Sequence, residues 1–216
     1  MRSSTAMTAG PELVRQLCIG IDLDLTLIDT REATAFALRR VNAELGARID
    51  VDAFVRRLGP PIRQELALWI PQERIEDAVT VFRTSFTAED GLNRLRPLPG
   101  AVELLRRVRD SGGRAVVITS RIPRIAHACL AACSLDVVAV VGGVSGEQKS
   151  PAMREHGVGV YIGDHPLDML GAVHAGVRAI GVTTGNNSDA ELREAGATVV
   201  VQGLDVVAGW LQGKRP

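Results

Sequence analysis

The stretch Cys18–Thr30, CIGIDLDLTLIDT, sets three aspartates against an apolar run that reads as a buried strand. If the strand continues past Ile21, its alternation points Asp22 and Asp24 to the same side of the chain. Neighbouring carboxylates repel, and without compensation one of them keeps its proton. The pattern therefore demands a cation close by.

The remaining chain says what kind of scaffold delivers one. Its 216 residues suffice for a substantial core, as one large domain or as one domain with an insertion. Lys+Arg and Asp+Glu are both 25, so there is no basic field for nonspecific binding of nucleic acid or anionic membrane. Small-molecule chemistry is expected instead. Three cysteines, two of them (Cys129 and Cys133) four apart on an expected helix, read as core residues rather than a disulfide framework. The opening MRSSTAMTAGPE lacks the apolar centre of a signal peptide, and no segment approaches the roughly eighteen apolar residues of a membrane span. The expectation is a cytoplasmic protein with no membrane or nucleic-acid partner; the oligomeric state is left open.

Apolar runs recur at LCIGIDL, RAVVIT, DVVAVVGG, VGVYIGD, VRAIGVT and ATVVVQG, separated by amphipathic or Ala-rich segments, several of which close on Gly. Strand and helix alternate, which predicts an α/β fold: a mostly parallel, Rossmann-like sheet with helices on both faces. Residues 31–96 break the rhythm with helix-period segments only, and are expected to form an all-helical insertion after the first strand. RLRPLPG would lead back to the sheet as a linker, its prolines resisting helix and central strand alike. The core is then 17–30 plus 97–212, with residues 1–16 and the final GKRP frayed.

Ligands of open parallel sheets bind outside the carboxyl ends of the strands. There the sequence places Asp22 and Asp24, then Thr119 and Ser120, then Asp164, with Lys149 in the loop before the last of these strands. Mg²⁺ suits such hard oxygen donors and keeps positions for water and substrate phosphate. Asp22 and Asp164 would supply side chains, and Asp24 its backbone carbonyl. A carboxylate can also attack phosphorus and so divide one hard displacement into two. Lys149 and the Thr119 hydroxyl would hold the phosphoryl oxygens, while Asp24 would protonate the leaving oxygen and later activate water.

DLDLTLIDT, Thr119 after an apolar strand, Lys149, and GDHPLD followed by AGVRAIGVTTG together resemble the haloacid dehalogenase-like superfamily, from about Leu17 to Val201. The resemblance implies Asp22 as nucleophile, Asp24 as acid/base, Asp164 as metal ligand and Asp168 as its support one helical turn on. It also implies that residues 31–96 are a helical cap, as in phosphoglycolate phosphatase-like and β-phosphoglucomutase-like members. Two departures stand out: Leu25 occupies a position where many relatives have Gly, and the segment after Lys149 is shorter than usual. No other lysine competes for the role, since the only other one is Lys214.

Read singly, these residues have plainer roles. Asp22 and Asp24 are turn or cap residues, Asp164 and Asp168 an N-cap and first-turn acid, and Lys149 a solvated loop lysine. The turn LGPPIR either presents Arg63 to the site or merely joins two helices; Arg121 either reaches phosphate or is solvated. His165 is expected as a rim histidine at a helix start, in reach of substrate. A carboxylate at position 24 favours phosphoryl transfer over dehalogenation, and the absence of lysine from residues 31–96 excludes Schiff-base phosphonate chemistry within the resemblance. The expected activity is a Mg²⁺-dependent phosphatase acting on a small phosphorylated metabolite, such as phosphoglycolate. The alternatives are a β-phosphoglucomutase-like mutase, and a receiver-like phosphoacceptor domain, against which the first-strand position of Asp22 and the helical insertion argue.

Overall fold

Residues 18–211 are described by the computed structural model; the expected frayed ends, with Lys214, lie outside them. Six strands, β1 (Cys18–Ile21), β4 (Arg114–Thr119), β5 (Ala139–Gly142), β6 (Val158–Gly163), β7 (Arg178–Val182) and β8 (Val199–Val201), form a wholly parallel sheet in the order β5-β4-β1-β6-β7-β8. β1 lies between β4 and β6, with Ile21 opposite Val117 on one side and Ile162 on the other. This is where the chain reverses its direction of travel across the sheet, the position at which such sheets bind ligands.

Alternation sends Ile19, Ile21, Val117 and Ile162 to one apolar layer and Cys18, Val116, Ile118 and Tyr161 to the other. Helices α6 (Ala101–Asp110) and α11 (Leu204–Trp210) cover the first layer; α8 (Ser150–Glu155) and α9 (Pro166–Ala175) cover the second. In α6, Ala101, Leu104, Leu105 and Val108 make the buried stripe, and Arg107 and Arg109 in the last turn complement the helix dipole. Cys18, Cys129 and Cys133 are free and buried.

Between β2 (Ile28–Asp29) and β3 (Arg96–Pro97) the described residues hold only helices: α1 (Arg31–Leu45), α2 (Val51–Val55), α3 (Ile62–Leu66), a 3₁₀ turn at Gln72–Arg74, α4 (Ile75–Thr87) and α5 (Glu89–Leu92). α1 and α4 pack along each other, with Ile75, Ala78, Val79, Phe82 and Phe86 as the buried stripe of α4. This excursion shares the first apolar layer of the sheet. β2 and β3 pair antiparallel at its base, Asp29 opposite Arg96. The sequence reading expected a linker at Arg96–Pro97; a two-residue strand in a two-stranded ribbon tolerates the proline because each strand has a free edge.

Leu25 is the departure with a backbone consequence. Its φ is 56°, in the left-handed region, and its side chain is fully buried. Its N–H donates to Ile28 O at 2.8 Å and its carbonyl accepts from Thr184 Oγ1 at 2.6 Å, which fix the turn that follows Asp24. A non-glycine there costs about 1 kcal/mol, against about 2–5 kcal/mol for the loss of a buried leucine side chain. Leu25→Gly is expected to destabilise the fold by about 1–3 kcal/mol in urea unfolding; equal or higher stability would show that backbone strain outweighs packing at this turn.

Candidate active site

β1 ends at Ile21, and the Asp22 N–H donates to Ile162 O at 2.9 Å, so the Asp22 carboxylate emerges between β4 and β6. Lys149 reaches it from the 3₁₀ turn Gly146–Lys149, which packs against α9. Its ammonium donates to Asp22 Oδ1 at 2.7 Å, Asp168 Oδ1 at 2.6 Å and Tyr161 Oη at 2.8 Å. The Tyr161 hydroxyl itself donates to Ile118 O at 2.7 Å. All three ammonium donors are thus used, and Lys149 is 3 % exposed. Burial by itself works against the charged lysine, but Asp168 and Asp22 hold its pKa well above the ordinary range. Asp22 Oδ2 accepts no hydrogen bond from the described residues.

Asp164 closes β6 and accepts from Thr26 Oγ1 at 2.7 Å. Asp168 stands in the first turn of α9, where His165 caps the helix: His165 Nδ1 accepts from Leu167 N–H at 3.1 Å and Asp168 Oδ2 accepts from His165 N–H at 3.2 Å. Gly163 is needed for this approach, since a Cβ there would overlap the Asp168 carboxyl. Carboxylate oxygens of Asp22, Asp164 and Asp168 lie within 4.8 Å of one another, and all three residues are buried. Burial, opposed by Lys149 and reinforced by Asp168 and Asp24, pushes the Asp22 carboxyl up to about 7. Burial, together with Asp168 and Asp22, likewise holds Asp164 well above the carboxylate range. One ammonium among three carboxylates leaves negative charge uncompensated, in a set of hard oxygen donors that fits Mg²⁺.

The two aspartates of the opening motif have different partners, although the Asp24 charge still acts on Asp22. After Asp22 the chain turns, with Leu27 and Ile28 N–H groups both donating to Leu23 O at 3.0 Å. Asp24 is carried instead to Arg121, whose Nε and Nη2 donate at 2.6–2.8 Å, and to Thr30 Oγ1 at 2.6 Å. The Arg121 guanidinium lies 4.0 Å from the ring centroid of Phe86, on α4. Arg121 is thus neither solvated nor free for phosphate in this arrangement. Thr119 is fully buried, and its Oγ1 accepts from Arg121 N–H at 3.2 Å.

The helical excursion closes over these groups. Gly59, at φ 147°, lies so close to His165 that a Cβ would overlap the imidazole, and Ser120 Oγ donates to Gly59 O at 3.4 Å. Asn186 Nδ2, in the loop after β7, donates to Val55 O at 3.0 Å. A cavity of about 50 Å³ lies beneath the excursion, with Asp24, Ser120 and Arg121 on the sheet side and Phe54, Phe82 and Arg83 on the helical side. Arg63 does not line it: the LGPPIR turn offers Gly59, Pro60 and Ile62 to the cavity, while Arg63 forms an exposed ion pair with Glu76.

Sequence reasoning passed over Tyr161, Thr30 and Arg83. Tyr161 read as a strand residue, although a lone tyrosine in a fully buried strand needs a partner for its hydroxyl. Thr30 was visible only as the end of the first motif, and Arg83 as one charge on an amphipathic helix.

A strand-end carboxylate held by a buried lysine, beside a second acid and a group of acidic side chains that could hold a metal ion, defines the class of site. Residues 19–182 match the family model described as haloacid dehalogenase-like hydrolase. The chain belongs to that family. It is 30 % identical over 208 residues to a probable phosphatase, IndB, of Dickeya dadantii, covering 87 % of this chain and 90 % of the relative. It is 28 % identical over 220 residues to a phosphoglycolate phosphatase of Caulobacter vibrioides, covering 87 % and 88 %. Among solved structures, a haloacid dehalogenase-like hydrolase from Streptococcus pneumoniae superposes with a TM-score of 0.78 at 23 % identity, covering 92 % of this chain and 99 % of that one. No helix among the described residues is long and apolar enough to cross a membrane.

Two measurements probe the buried charges. Lys149→Met leaves the acid cluster without its ammonium and is expected to destabilise the metal-free protein by about 3–5 kcal/mol, read by urea unfolding; a change below about 1 kcal/mol would mean the lysine is not coupled to the acids. The second concerns pH. The raised pKa values of Asp22 and Asp164 mean that the metal-free folded state binds more protons than the unfolded chain between about pH 4 and about pH 7. These groups therefore cost stability as pH rises through that window, and a divalent cation held among them would relieve the cost by competing with protons. The rise in Tm on adding Mg²⁺ to EDTA-treated protein should be larger at about pH 8 than at about pH 5; an equal rise at both would separate metal binding from these carboxyls.

Proposed function

We propose that the protein is a Mg²⁺-dependent phosphatase that hydrolyses a small phosphorylated metabolite through a phosphoryl group carried on Asp22. The observation that carries the proposal is the Lys149–Asp22 contact of 2.7 Å, which holds one carboxylate oxygen and leaves Oδ2 without a donor. The named phosphatase relatives support the reaction class, and the phosphoglycolate phosphatases among them support a small substrate. Mg²⁺ would be held by Asp22, Asp164 and the Asp24 carbonyl, with Asp168 as their support. When bound it neutralises charge on the phosphoryl oxygens and on the acids around it.

In the first step Asp22 Oδ2 forms a bond to phosphorus as the bond to the ester oxygen breaks. Asp24, taking up a proton as it turns from Arg121 to the departing oxygen, gives that proton to it, so that a neutral alcohol leaves. Lys149, by exchanging one of its three present partners for phosphate, and the Thr119 hydroxyl would hold the phosphoryl oxygens, and the closed helical excursion limits the water present at this stage. In the second step Asp24, now a carboxylate, takes a proton from the one water admitted, and its oxygen attacks phosphorus. The Asp22 carboxylate is restored and inorganic phosphate released.

A panel of phosphate esters assayed with and without Mg²⁺ tests the reading. Asp22→Asn is expected to lower kcat by about four orders of magnitude or more. Asp24→Asn should cost about 10²–10⁴-fold on alkyl phosphates and much less on p-nitrophenyl phosphate, whose leaving group needs no proton. Phosphate release by Asp22→Asn at the wild-type rate would remove the proposed nucleophile.

A further inference from the structure

The charges around the cavity do not balance, and the excess sits on one residue. Two acids line it, and each already has an arginine: Asp24 is held by Arg121 at 2.6–2.8 Å, and buried Glu65 by Arg57 at 3.0 Å. The guanidinium of Arg83, the remaining cation of the lining, makes no hydrogen bond or ion pair with any described residue. Burial, then the like charges of Arg63 and Arg124, lower its pKa. Arg63 is itself matched by Glu76. A half-buried guanidinium facing two other cations and the Phe54–Phe82 wall is unfavourable unless an anion joins it.

We infer that Arg83 is a specificity-determining residue that recognises a second anionic group, a carboxylate, on the alcohol portion of the phosphate ester. The inference rests on the phosphatase reading and adds to it the chemistry of the leaving group. Arg83 and Asp24 line the same cavity, so an ester oxygen at Asp24 directs the rest of the alcohol towards α4. A cavity of about 50 Å³ leaves room for only a few non-hydrogen atoms between them. A two- or three-carbon hydroxy acid meets both conditions. The guanidinium fork would take both carboxylate oxygens, and the apolar wall would strengthen the pair by excluding water.

The test compares 2-phosphoglycolate with its neutral amide, which has the same number of non-hydrogen atoms, for wild type, Arg83→Met and Arg83→Lys. Wild type should favour the acid in kcat/KM by about 10- to 100-fold. Arg83→Met should lose that preference mainly through KM, the acid losing far more than the amide, and Arg83→Lys should recover part of it. A wild type that does not distinguish acid from amide, or that turns over neither while hydrolysing p-nitrophenyl phosphate, overturns the inference but leaves the phosphatase reading intact. An Arg83→Met variant slowed equally on both esters overturns it too, because that pattern belongs to a structural role. Release from no ester at all by wild type would remove the phosphatase reading and this inference together.

Discussion

The arrangement depends on one buried ammonium placed between two carboxylates. Lys149 satisfies Asp22 and Asp168 and has its third donor absorbed by Tyr161, so its position is determined from three directions. Each partner comes from a different part of the fold: the first strand, the first turn of α9 and the middle of β6. The short segment after Lys149 does not loosen this placement, because the 3₁₀ turn is packed against α9. The acids still outnumber the lysine, a deficit that suits the divalent cation proposed for the site.

A second pair, Asp24 with Arg121, links that centre to the helical excursion. Arg121 holds Asp24 through its edge and rests its face against Phe86 of α4. The excursion also meets the sheet at Gly59 and at Val55, above the carboxyl ends of the strands. The excursion therefore bears on the second acid and on the cavity, and it meets the Lys149 cluster at His165, whose N–H holds Asp168. Chemistry common to phosphoryl transfer lies with the sheet, while the groups able to discriminate among alcohols lie above it.

Much of this was legible in the sequence because the parallel sheet concentrates its polar residues at one rim. Asp22, Thr119 and Asp164 each end an apolar run, and a fully buried strand tolerates an acid only where it stops. Lys149 was identifiable by elimination, as the chain has one other lysine. What escaped the reading depends on side-chain direction or on turn geometry. The turn after Asp24 has Leu25 at φ 56°, which a leucine does not advertise, and the Arg121 partner of Asp24 comes from 97 residues away. Arg63 and Arg83 are both cations on amphipathic helical segments, and periodicity alone does not say that the first faces Glu76 and the second the cavity. The Arg96–Pro97 strand is two residues long and lies at an edge, too short for any pattern.

The central claim is that Asp22 carries the phosphoryl group between the two half-reactions. Acid quenching of the enzyme during turnover, followed by peptide mass spectrometry, tests it most directly. The account predicts that the peptide containing Asp22 gains the mass of one phosphoryl group, that hydroxylamine treatment removes it, and that the adduct is absent from Asp22→Asn. Turnover with no adduct on that peptide at any quench time, or an adduct on another residue, would contradict it.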